Sequence, residues 1–86
     1  MPNALPPKKL AALPPTLAPR LLHREAAAAY VNVSPLTFDE MVAAGIMPKP
    51  RILTKGRKAW DVRELDAAVD QLPYDGGDIP NHGWEE

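Results

Sequence analysis

The chain of 86 residues has no cysteine and only two histidines, His23 and His82, set far apart. No disulfide framework is available, and no His/Cys spacing suits a zinc site. No apolar run approaches the roughly 18 residues of a membrane span. The first residues carry Lys8 and Lys9 but no apolar stretch of signal-peptide type, so a cytoplasmic protein without a membrane partner is expected. There is no nucleophile–base pair, no glycine-rich phosphate loop and no cluster of metal-ligating residues. Catalysis is therefore not expected, nor is a bound cofactor or metal. The net charge of −1 gives no argument for nucleic acid by itself.

Proline, by contrast, is plentiful and unevenly placed. Pro2, Pro6, Pro7, Pro14, Pro15 and Pro19 all precede Arg20. That spacing forbids a long helix and favours extended chain. Residues 1–20 are read as a flexible arm, although Leu5, Leu10, Leu13 and Leu17 recur along it. Three roles remain open for the arm: a solvated leader, a strap packed on its own or a neighbouring domain, or a Lys8–Lys9 contact to phosphate. At the other end, residues 74–86 are acidic and turn-rich, with Asp75, Gly76, Gly77, Asp78, Pro80 and Gly83, and are read as a flexible tail. A domain over residues 21–73 remains. It is small enough to be marginal alone, so packing with DNA or another protomer is expected to add stability.

Charge is segregated. Residues 49–63 hold Lys49, Arg51, Lys55, Arg57, Lys58 and Arg63 against Asp61 alone, whereas residues 64–86 hold seven acids and no Lys or Arg. A cationic segment is thus followed by an anionic one.

The organising stretch is residues 24–44. An alanine-rich helix is predicted from about Arg24 to Val31. Asn32 is suited to the left-handed position that ends it. Ser34 is placed to cap a second helix, with Pro35 in its first turn. Phe38, Met41 and Val42 fall at i, i+3, i+4 on one face, and Gly45 ends the helix. Two short helices joined by a tight turn form a helix-turn-helix, whose second helix is built to enter a DNA major groove. Residues 46–50 then run extended past Pro48 and Pro50. Arg51–Thr54 is predicted to pair with residues 59–62 around a turn at residues 55–58 that contains Gly56. Trp60 is expected to face the core, with Ala59 and Asp61 facing away. Asp61 and Glu64 have the spacing of a capping box, and Leu65, Val69 and Leu72 form the expected buried stripe of a third helix closed by Pro73. The expected fold is mainly α with a small β-hairpin: a winged helix-turn-helix of three short helices plus a wing.

The blocks REAAAAYVNVSP and TFDEMVAAGIMPKP, a basic hairpin, and KAWDVRELDAAV, taken in that order, resemble the small winged helix-turn-helix proteins of the MerR-like class. Within that class the likeness is to the AlpA-like and excisionase proteins of phages and integrative elements, also called recombination directionality factors. It covers residues 22–72. The resemblance implies a non-enzymatic protein that binds repeated sites on double-stranded DNA beside an attachment site. There it would help a tyrosine recombinase (integrase) excise the element. The same binding in this family can control a nearby promoter, so a small transcription regulator is the alternative reading. A protein-interaction module is a third. The chain departs from the family at Asn32, where glycine is more common, and at Asp39 and Glu40, where basic residues are common.

The residues expected to meet DNA follow from these placements. On the second helix they are Ser34, Leu36, Thr37 and Glu40, with Ser34 and Thr37 near the free N–H groups of the helix start. Glu40 is read as a solvated or salt-bridged residue ahead of an acceptor for cytosine. Lys55, Gly56, Arg57 and Lys58 of the wing are the stronger candidates, with Arg57 suited to a minor groove. Lys49 and Arg51 extend that track, and Arg24 is a further candidate. Because one such domain covers little DNA, head-to-tail self-association on repeated sites is open to it, through the acidic tail, Trp84 or the proline-rich arm, the alternative being a solubilising tail.

Overall fold

The computed structural model describes residues 12–76. Six elements follow in order: β1 (Leu21–Leu22), α1 (Arg24–Tyr30), α2 (Pro35–Ala43), β2 (Arg51–Thr54), β3 (Arg57–Asp61) and α3 (Val62–Asp70). The three helices lie where the sequence pattern puts them. The sheet is larger than expected. Its three antiparallel strands run in the order β1-β3-β2, because Leu21 and Leu22 pair with Asp61 and Trp60. Three helices and a three-stranded antiparallel sheet are compatible with a winged-helix-like fold.

The turn between α1 and α2 is built by Asn32, at a φ of 68°. Its N–H donates to the Ala29 carbonyl at 3.0 Å, and the Val33 N–H donates to the Ala28 carbonyl at 3.0 Å. This pair of bonds satisfies carbonyls that the helix end leaves open, and it requires a left-handed residue between them. Gly45 does the same after α2 with a φ of 80°, its N–H bonding to Val42 and that of Ile46 to Met41. Ser34 caps α2 as expected, accepting from the Thr37 N–H at 3.2 Å. His23 precedes α1 without a side-chain cap.

The core unites the elements around two aromatic rings. Phe38 of α2 meets Trp60 of β3 edge-on, with ring centroids 5.0 Å apart. Ala27, Ala28, Met47 and Leu65 are buried with them, and Leu22, Val31, Val33, Met41, Val42, Ala68 and Leu72 close the sides. The alanines of α1 let α2 approach closely, which a larger residue would prevent. The Trp60 indole N–H donates to the Pro48 carbonyl at 2.8 Å, so the burial of this ring leaves no unpaired donor. The Tyr30 hydroxyl donates to Asp66 at 2.8 Å and ties α1 to α3.

Several expectations are corrected here. Ala59 and Asp61 do not face solvent; each is only 5% exposed. The segment ahead of β1 approaches the side of β3 that a free hairpin would have left open, with Leu13, Pro19 and Leu21 bordering the same groove as Ala59. The capping box is half formed. Asp61 caps α3 through the Arg63 N–H at 2.9 Å, but Glu64 turns to Arg51 across the hairpin instead of back to Asp61. Val69 is 41% exposed, and the small Ala68 takes the inward place between Leu65 and Leu72. The hairpin turn is also tighter. Gly56, at a φ of 80°, closes it with Lys55, so Arg57 and Lys58 belong to β3 and Val62 opens α3.

Candidate nucleic-acid interface

The candidate side chains divide into a helical and a hairpin group. On α2, Leu36, Thr37 and Glu40 are exposed, as is Ala43 one turn further along; Leu36 reaches 66%. Phe38 faces the opposite way into the core, with Met41 and Val42 half-buried beside it, so the division of the helix surface follows its apolar spacing. The Ser34 hydroxyl is engaged twice. It accepts from the Thr37 N–H and donates to the Thr37 Oγ1 at 3.0 Å. The cap therefore uses the hydroxyl that the sequence offered to phosphate. No Lys or Arg stands on α2.

Arg24 is engaged as well. Its guanidinium forks onto Asp39, with Nε to Oδ1 at 2.9 Å and Nη2 to Oδ2 at 2.8 Å, and also donates to Glu25 at 3.2 Å. This two-point pair joins α1 to α2, and the hydrogen bond to Arg24 holds the Asp39 carboxyl below the usual carboxylate range. Arg51 is drawn in the same manner to Glu64, through Nε at 3.2 Å and through Nη2. Two of the three arginines read as DNA contacts, Arg24 and Arg51, thus hold ion pairs within the protein.

Arg20, which the sequence left in the arm, has a structural part. It meets Asp61 through Nε at 3.3 Å and Nη2 at 3.0 Å, and its carbonyl accepts from the Val62 N–H at 2.9 Å. With the Arg63 N–H, it keeps the buried Asp61 carboxyl below its ordinary range. Nothing in the local pattern announced this pair, since its partners are 41 residues apart.

The hairpin keeps its charge. Lys49, Lys55, Arg57 and Lys58 form no ion pair among the described residues. Gly56 holds the turn that carries Lys55, and Thr54 faces Arg57 across the ladder while Ile52 faces Lys58. Three cations are thereby gathered at the tip, with Lys49 at the base. Sequence reasoning missed the apolar part of this hairpin, Ile52 and Leu53, both exposed. It also missed a groove of about 650 Å³ beside it, bordered by Leu13, Leu21, Leu22 and Leu53, with Arg57 and Lys58. No signal in residues 51–54 marked this, because an apolar strand residue reads the same whether it faces the core or solvent.

Lys8, Lys9 and Trp84 lie outside the described residues, as do the last acids of the tail. Among the described residues no group of His, Cys, Asp or Glu could hold a metal ion, and no helix is long and apolar enough to cross a membrane. No protein-family model, no curated protein and no solved structure matches the chain.

Proposed function

We propose that the chain is a winged helix-turn-helix protein of the AlpA-like and excisionase kind: a sequence-specific DNA-binding protein that occupies repeated sites near an attachment site and promotes excision by a tyrosine recombinase. The observation that carries the reading is the hairpin tip. Lys55, Arg57 and Lys58 form no ion pair there among the described residues, and the outer face of α2 is exposed as well. Unpaired cations on a projecting hairpin neutralise phosphates and release counterions, and this supplies affinity without base reading. Helix α2 offers Leu36, Thr37 and Glu40 to bases but no cation, so the hairpin supplies most of the binding energy and α2 adds discrimination.

A domain with few phosphate contacts binds a single site weakly, and neighbours on repeated sites compensate through contact with one another. Residues 74–86 are the candidate for that contact. The test is a gel-shift titration against fragments flanking the gene of this protein and the nearest integrase gene, with one site and with several. A ladder of cooperative, salt-sensitive complexes at the attachment-site fragment is expected. The cooperativity, but not the single-site affinity, is expected to fall when residues 74–86 are removed. A single complex confined to a promoter fragment would assign the protein to transcription control instead, and absence of binding at low salt would refute DNA binding altogether.

A further inference from the structure

Strand β2 leaves all four of its residues exposed. A strand laid on a core alternates inward and outward side chains, and β2 does not. Ile52, at 76%, is the most exposed large apolar side chain among the described residues. Directly across from it stands Lys58, and the next pair towards the tip is Thr54 with Arg57. The register shifts between Ile52 and Thr54, so Leu53 has no cross-strand partner, and such bulges re-aim the side chains beside them. No acidic residue occurs from residue 49 to residue 60. An exposed apolar side chain therefore stands among positive charges that form no ion pair among the described residues.

Few partners suit both features. A second copy presenting the same patch would bring Lys55, Arg57 and Lys58 against their own kind, and like charges oppose that contact. A partner that is polyanionic at its edges and apolar between them satisfies both, and duplex DNA is built in that way, with phosphates along the groove and stacked base faces inside. Isoleucine is among the side chains that wedge between base steps from the minor groove. The geometry points to Ile52 as a minor-groove wedge. Arg57 and Lys58 take the flanking phosphates, and Ile52 partly unstacks a flexible pyrimidine–purine step and kinks the duplex. A wedge must be backed by a stiff support, and the base of the hairpin is braced. Trp60 is held on Phe38 and on the Pro48 carbonyl, and Arg51 is held on Glu64. This inference rests on the DNA binding proposed above and adds the mode of engagement.

The test uses the full chain and a duplex of roughly 30 base pairs, with 2-aminopurine beside central TA steps and a dye pair at its ends. Anisotropy reads binding, 2-aminopurine fluorescence reads unstacking, and energy transfer reads the bend. The wild type is expected to raise the fluorescence severalfold and to bring the ends together. Ile52→Ala and Ile52→Ser are expected to bind about tenfold more weakly with an unchanged salt slope, and to do neither. Ile52→Met, which keeps an apolar wedge, should restore both signals. Since Ile52 is exposed, these variants keep the fold, which far-UV circular dichroism checks. Saturation by the wild type without a fluorescence gain, or an equal gain with Ile52→Ala, would overturn the wedge and leave DNA binding standing. Failure to bind the duplex would overturn both. Capture by phosphatidylglycerol vesicles that depends on Ile52, with the duplex left stacked, would give the tip to an anionic membrane and also overturn the proposal.

Discussion

The α1–α2 pair and the tip of the β2–β3 hairpin each present apolar and basic side chains, and they treat the basic ones in opposite ways. Arg24 is bound by Asp39 in the helix pair, and Arg51 is bound by Glu64 at the foot of the hairpin. At the hairpin tip Lys55, Arg57 and Lys58 have no such partner among the described residues. A forked pair between arginine and carboxylate cancels the field of both groups a short distance away, so it serves cohesion and not attraction. Where a cation sits in the chain is therefore a poor guide to what it does. The acidic residues within reach decide that, and they come from other elements.

The contrast can be broken most severely by removing the ring that joins the two regions. Trp60→Ala is expected to cost about 3–5 kcal/mol, through the cavity and the lost contact with Phe38. A domain of this size has about that much stability in total, so urea titration by far-UV circular dichroism should show no cooperative transition. The next largest effect is on binding. Arg57→Ala with Lys58→Ala should lower DNA affinity by about a hundredfold and reduce the salt slope by about two, whereas Arg24→Ala should leave that slope unchanged.

Asp39→Asn sharpens the comparison from the other side. It releases Arg24, so DNA should be bound more tightly and with a salt slope steeper by about one, while the melting temperature falls. An affinity that does not rise would mean that the helix pair lies away from the duplex. Acid should erode the structural pairs and leave the tip charged. The Asp61 carboxyl is held below its ordinary range by Arg20 and the Arg63 N–H, and that of Asp39 by Arg24. A carboxylate with a lowered folded pKa contributes stability that is complete above its unfolded value and is lost as pH falls through the folded one. Thermal stability should be flat near neutrality and decline below about pH 4. Asp61→Asn should lower the plateau and flatten that decline. The smallest effect is at the turn: Asn32→Ala should cost about 1 kcal/mol for its left-handed backbone, and Asn32→Gly should match or exceed the wild type in a melting curve.

Much of the local structure was legible in residues that act on their neighbours. Asn32, Ser34, Pro35 and Gly45 set the ends of two helices through φ values and hydrogen bonds within a few positions, and each stands as its chemistry requires. The outward face of α2 followed from Phe38, Met41 and Val42, because helical periodicity fixes the opposite side once one side is buried. The hairpin was legible too, though Gly56 closes it in two residues and so moves Arg57 and Lys58 into β3.

The amino-acid sequence by itself determined the three helices, the hairpin, the inward places of Phe38 and Trp60 and the excess of positive charge around Gly56. Propensity, capping and periodicity are local, and they need no knowledge of distant chain. Only the tertiary structure decided that Leu21 and Leu22 complete the sheet, that Asp61 is buried against Arg20, and that, among the described residues, Arg24 and Arg51 hold ion pairs while Arg57 and Lys58 hold none. A two-residue strand has too little pattern to be seen, and an ion pair depends on which side chains folding brings within reach. The same reason left Ile52 unnoticed: a strand residue is apolar in the sequence whichever way it faces, and only the packed sheet leaves it in solvent.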